Sequence, residues 1–229
     1  MPTVRAAALL AGVATVLAAC ATSFNSEPPA GVSLAGHWKL DPAASDDPQK
    51  VLDKMRAEAF KLLDRRNPPP LPAPSRPGHP APEPSEEEAP PPPPPPGAHR
   101  PDPLRRSPMA NIIRETVQRG DFLTIREGAD EFVLDYGTSR RSFTPGLQSV
   151  VSAQTGVGDQ TSGWKGHQYV IRVKSQTGPD VLEEYSLAAG GKELVMKLHL
   201  SSGELPSVDL TRIYRPTTEA APQMLPSND

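Results

Sequence analysis

Leu194-Val195-Met196-Lys197-Leu198-His199-Leu200 sets Leu or Met at every second position, with Val, Lys and His between them. Period two is the spacing at which side chains share one face of a β-strand. The run therefore reads as a strand with one face toward a core and the other mostly toward solvent. Turn signals flank it, Ala189-Gly190-Gly191-Lys192 before and Ser201-Ser202-Gly203-Glu204 after.

The same rhythm extends in both directions. Tyr169, Ile171 and Val173 alternate with Gln168, Val170 and Arg172, and Phe132, Leu134 and Tyr136 alternate with Glu131, Val133 and Asp135. Further turn signals stand at Glu127-Gly128-Ala129-Asp130, Gly137-Thr138, Thr144-Pro145-Gly146 and Thr177-Gly178-Pro179-Asp180. Short alternating runs separated by turns predict an antiparallel meander over 109–215, with about eight to ten strands in the whole domain. The last run, Val208 to Tyr214, breaks phase between Leu210 and Ile213, which predicts a bulge.

An earlier strand precedes the meander. In Leu34-Ala35-Gly36-His37-Trp38-Lys39-Leu40-Asp41-Pro42, residues 34, 36, 38 and 40 share a face and Pro42 stops the run. A helix follows, since Asp47 can cap it, Pro48 suits its first turn, and Arg65 and Arg66 suit its C-terminal end. Leu52, Met55, Ala59 and Leu62, with Val51 and Leu63, form its apolar stripe, and Asn67-Pro68 ends it. The mixed charges on its other face favour packing on a sheet over lying on a membrane surface.

Between this helix and the meander, 19 of the 41 residues from Pro68 to Pro108 are proline, including seven in a row from Pro90 to Pro96. Residues 67–108 thus read as a low-complexity, disordered insertion whose heptaproline forms a polyproline II rod of about 20 Å. Residues 20–33 read as a flexible tether and 216–229 as a disordered tail.

The chain has 229 residues, a net charge of −3 and no basic block, which excludes a nucleic-acid footprint. Nothing suggests an enzyme or a cofactor. The five histidines, at 37, 79, 99, 167 and 199, lack metal-ligand spacing, and His37 and His199 read as solvent-face residues. There is no Gly-x-Ser-x-Gly. Glu183 and Glu184 are adjacent in a strand, so they face opposite ways and cannot form an acid and base pair. The large aromatics Trp38, Phe132, Tyr136, Tyr169 and Tyr185 belong on the inner face, as core or as the lining of a ligand site at a barrel mouth.

Gly36-His37-Trp38 before a long excursion and a meander resembles the lipocalin arrangement. With Leu123-Thr124-Ile125, Trp164-Lys165-Gly166, Glu184-Tyr185-Ser186-Leu187 and Arg212-Ile213-Tyr214, the chain is similar to uncharacterised lipocalin-like proteins of proteobacterial envelopes. The resemblance covers roughly 34–66 and 115–215. It implies a partly open β-barrel with one helix; lipocalin membership would add a small apolar ligand, while the uncharacterised group implies no activity.

The N-terminus supplies an address. One basic residue, Arg5, precedes an apolar run too short to span a bilayer, which ends in Leu17-Ala18-Ala19-Cys20 and holds the single cysteine. This resembles the lipobox of bacterial lipoproteins. The resemblance implies that residues 1–19 are removed as a signal peptide and that Cys20 is acylated, for example with palmitate. Ala21 in place of aspartate leans toward the outer membrane, facing the periplasm. The partners expected are the membrane, through the lipid on Cys20, and a small apolar ligand or an envelope protein. A scaffold whose proline-rich segment engages cell wall or a protein is the competing reading.

Overall fold

Leu194, Met196, Leu198 and Leu200 are buried and the residues between them are not, so the alternation becomes one face of a sheet. A computed structural model of the chain describes residues 24–66, 101–153, 156–188 and 190–219. The signal segment, Cys20, the heptaproline and the last ten residues lie outside them.

In chain order the elements are β1 (Gly36–Leu40), α1 (Pro48–Arg66), α2 (Pro108–Gln118), β2 (Phe122–Glu127), β3 (Phe132–Asp135), β4 (Arg140–Phe143), β5 (Gln148–Ala153), β6 (Gly156–Lys165), β7 (Gln168–Ser175), β8 (Asp180–Leu187), β9 (Leu194–Ser201) and β10 (Val208–Pro216). All ten strands belong to one antiparallel sheet of order β4-β3-β2-β1-β10-β9-β8-β7-β6-β5. Each turn signal falls between consecutive strands. β1 closes the sequence by pairing with both β2 and β10, and β4 and β5 form the two ends of the sheet. The sheet curls into a partly open barrel that brings Phe132 of β3 against Tyr169 of β7.

There are two helices where one was expected. Residues 108–118, assigned from sequence to the insertion's end and the meander, form α2. Ser107 caps it, its hydroxyl accepting from the Ala110 N–H at 3.4 Å, and Pro108 occupies the first turn. Met109, Ala110, Ile112, Ile113 and Thr116 bury one side of the helix. α1 packs on α2 and on β10, burying Leu52, Met55 and Ala59 from its stripe. Asp47 caps α1 by accepting from the Gln49 N–H at 2.9 Å.

Three boundaries differ from expectation. The insertion is shorter, because Leu104 is fully buried and Asp102 pairs with Arg56 of α1 at 3.1 Å. The C-terminal tail begins later, since β10 reaches Pro216 and Glu219 pairs with Lys39 at 2.7 Å. The tether is also shorter. Asn25 exchanges backbone hydrogen bonds with Trp164 of β6 at 2.9 and 2.8 Å, and Phe24 is buried with its ring under Arg172. Gly163 permits this approach, as a Cβ there would lie 2.6 Å from the Asn25 carbonyl oxygen.

β10 has no bulge. Its register against β9 runs unbroken from Val208–Leu200 to Tyr214–Leu194. Phase is kept because Arg212 is buried between Leu210 and Tyr214, while Ile213 is the outward residue. Its guanidinium donates to the Thr116 and Gly120 carbonyls at 2.5 and 3.1 Å, where the last carbonyls of α2 lack helical partners. Arg212 thus pins the C-terminal end of α2 to the barrel.

Candidate functional site

The five aromatics anticipated as lining are all buried in the core cluster. Trp38 of β1 donates its indole N–H to the Leu34 carbonyl at 3.0 Å. Phe132 of β3 stacks on Tyr169 of β7 with ring centroids 3.5 Å apart and planes 9° apart. Trp164 meets both edge-on, at 6.1 and 5.5 Å. The Tyr169 hydroxyl donates to Ser162 at 3.2 Å, and burial pushes its pKa up to about 12. These residues form a packed aromatic wall.

Tyr136 and Tyr185 belong to a different constellation. Their hydroxyls lie 3.2 Å apart, and Tyr185 donates to Glu183 Oε2 at 2.9 Å. Glu183 is buried on β8, on the same face as Tyr185. It accepts from Arg141 of β4 at 2.9 and 2.7 Å. Arg119, at the C-cap of α2, brings its Nη1 to 3.6 Å from Glu183 Oε1, an ion-pair distance without a hydrogen bond. That nitrogen is buried and has no hydrogen-bond partner among the described residues. The guanidinium also lies over the Tyr136 ring at 5.7 Å.

Two guanidinium groups against one carboxylate leave this interior cluster with a net positive charge. Burial alone raises the Glu183 pKa, but Arg141 and Arg119, aided by the bonds from Arg141 and Tyr185, outweigh it and hold the carboxyl at about 2. Burial also opposes the charge on Arg119, yet Glu183 keeps its pKa above the ordinary value. Both arginines are only partly exposed, their side chains at 16% and 24%, so the cluster borders solvent rather than lying sealed. The arrangement can hold an anion; it offers no nucleophile.

Strand parity carried a signal for this cluster. Glu183 shares parity with Tyr185, as Arg141 does with Phe143 and Arg212 with Tyr214. Arg119 had no such signal, because α2 itself went unread. Glu184 faces away from Glu183, as strand geometry requires. His37 contacts the Thr124 hydroxyl at 2.9 Å and His199 contacts Asp209 at 2.7 Å, both near the surface. No group of three or more His, Cys, Asp or Glu is placed to hold a metal among the described residues.

Two hollows of about 300 Å³ lie beside α1. One has a floor of Val51, Met55, Pro206 and Val208 with a rim of Asp46, Lys54, Glu58 and Asp209. The other is lined by Leu62, Leu63, Arg66, Pro103, Arg106 and Leu205. None of the five aromatics lines either. No described helix is long and apolar enough to cross a membrane.

No family model matches the chain, and no curated protein matches it in sequence. Solved structures similar to it are small β-barrels. They include apo lipid binding protein 8 of Caenorhabditis elegans, at 12% identity over 82% of this chain and 100% of that one, with a TM-score of 0.43. The REP1-NXSQ fatty acid transporter is 16% identical over 82% and 98%, with a TM-score of 0.41. Zebrafish ileal bile acid-binding protein complexed with cholic acid is 10% identical over 80% and 98%, with a TM-score of 0.37.

Proposed function

We propose that this chain is a lipoprotein of the bacterial outer membrane, anchored through Cys20 and facing the periplasm. Its barrel binds, without chemical conversion, a small amphiphile with an apolar body and a single negative charge. The observation that carries the ligand reading is the buried Nη1 of Arg119, which reaches Glu183 at ion-pair distance but makes no hydrogen bond among the described residues, in a cluster with one cation in excess. A buried donor left unpaired costs about 1–3 kcal/mol, more when charged, and a carboxylate or similar anion removes that cost. The ligand's apolar part lies against Phe132, Tyr169 and Tyr185. Admission of the ligand parts the stacked Phe132 and Tyr169 rings.

The experiment is to purify the protein from its own membranes, extract it with organic solvent and identify what leaves by mass spectrometry. A stoichiometric acidic amphiphile is expected. A clean protein that also fails to take up acidic amphiphiles contradicts the reading. The same preparation reports the anchor through the mass of the peptide beginning at Cys20.

The hollows beside α1 favour a second reading, an envelope protein as partner. The second hollow is lined by Arg66 and Pro103, which stand at the two ends of the proline-rich segment. Deleting residues 68–100 separates the two: a scaffold loses its partner, whereas a ligand-binding barrel keeps its affinity.

A further inference from the structure

From Ser142 to Gly158 the chain has seventeen consecutive residues without Asp, Glu, Lys or Arg, the longest such run beyond residue 26. This run builds β5 and the start of β6. β5 ends the sheet, pairing on one side only, and is exposed over nearly its whole length. The run carries Leu147, Val150 and Val157 at 63%, 70% and 40% exposure, three of the five exposed large apolar side chains among the described residues. An uncharged, apolar end strand open to water is a liability that folded proteins ordinarily cover or charge.

The N-terminal segment says what covers it. Phe24 and Ser26 lie against Gly146, whose N–H donates to Ser162 at 2.7 Å, and Gly146 adjoins Leu147. Phe24 is four residues from Cys20, a reach of at most about 14 Å. We infer that residues 144–150, the turn into β5 and its first half, dock on the surface of the bilayer that holds the Cys20 lipid, with Leu147 and Val150 entering its interfacial region. This inference rests on the lipid anchor proposed above. A short tether leaving the barrel beside Gly146 and Trp164 brings the start of β5 to the membrane first, and the absence of charge makes the contact insensitive to salt. The helix end of the barrel and its hollows stay free for other partners.

The test uses the mature chain joined through its Cys20 thiol to a maleimide phospholipid, in vesicles of phosphatidylethanolamine and phosphatidylglycerol. Amide hydrogen exchange is read over 144–150 and, as a control, over the β9–β10 turn at 201–207. Tethering is expected to slow exchange in 144–150 by about tenfold or more, equally at low and high salt, and to leave 201–207 unchanged. Leu147→Asp/Val150→Asp abolishes the protection while the tethered protein keeps its circular dichroism. Unchanged exchange on tethering overturns the inference. So does equal protection in concentrated, untethered protein, which assigns the strand to a second copy of the chain. Because the tether is supplied chemically, either failure is distinct from the absence of lipid on the native Cys20.

Discussion

Arg141 and Glu183 join the barrel across its interior. Arg141 stands on β4, one end of the ten-stranded sheet, and Glu183 on β8, six strands away in sheet order, yet the guanidinium nitrogen Nη1 reaches both carboxylate oxygens at 2.9 and 2.7 Å. No backbone ladder pairs β4 with β5, so this tie holds an end strand that has only β3 beside it. The pair both sets the curl of the sheet and, with Arg119, creates the excess of positive charge on which the ligand reading stands.

Glu183→Gln leaves Arg141 and Arg119 buried without a counter-charge. Removing one partner of a buried pair costs about 3–5 kcal/mol, so the urea midpoint falls sharply. Replacing the whole group by Arg119→Met/Arg141→Met/Glu183→Leu restores most of that stability, since no unpaired charge remains. The triple variant is expected to fold and to have lost affinity for acidic amphiphiles.

Acid unfolding reports the same carboxylate. Glu183 titrates near 4.3 when unfolded and at about 2 when folded. A lowered folded value means that its contribution is complete above about pH 4.3 and disappears as pH falls toward 2. Stability therefore rises with pH across that window in the native chain, and Glu183→Gln lacks this part of the rise. At the other end, Tyr169 is raised to about 12 from an unfolded value near 10. Its contribution is complete below about pH 10 and is lost as pH climbs through 12. Denaturant titrations across both windows check the two signs.

Gly163→Ala addresses the N-terminal clasp. Its φ of 149° is unusual for any side chain, and the new methyl would meet the Asn25 carbonyl oxygen and Phe24 Cβ at 2.6 and 2.7 Å. The Asn25 and Trp164 bridge is expected to open, so that the Asn25 amide exchanges rapidly while amides in β8 and β9 stay protected. Hydrogen exchange resolved by residue distinguishes this local release from global loss of stability.

Ligand entry has an optical signature. Trp164 contacts Phe132 and Tyr169 edge-on, so parting that stack changes its surroundings. Trp38, fixed by its bond to Leu34, is spared. An acidic amphiphile is expected to shift the emission of a Trp38→Phe variant, which has Trp164 alone, and to leave a Trp164→Phe variant unchanged.

Strands β7 and β9 were legible because Tyr169 to Val173 and Leu194 to Leu200 obey a period that sheet geometry enforces. α1 was equally plain, from its cap, stripe and basic end. α2 was hidden because Ser107-Pro108, a helix start, closes a stretch that reads as proline-rich and unstructured. The polar interior was hidden for a deeper reason. Period-two reading sends charged residues outward, and Glu183, Arg141 and Arg212 turn inward only because distant elements supply their partners. Ile213 was taken as the inward residue for the same reason, and a bulge was inferred where the strand merely carries a buried arginine. Phe24 stands alone among small and polar residues, and only the groove beside Gly163 reveals that the tether is clasped.

The most direct measurement is a calorimetric titration of the mature chain with a medium-chain carboxylate and with the alcohol of equal length, repeated on Arg119→Met. The account predicts tight binding of the carboxylate, much weaker binding of the alcohol, and loss of that preference in Arg119→Met. The preference amounts to roughly 1.5–3 kcal/mol, the contribution of a hydrogen bond to a charged group. Equal affinity for acid and alcohol, or a preference that survives the loss of Arg119, would contradict it.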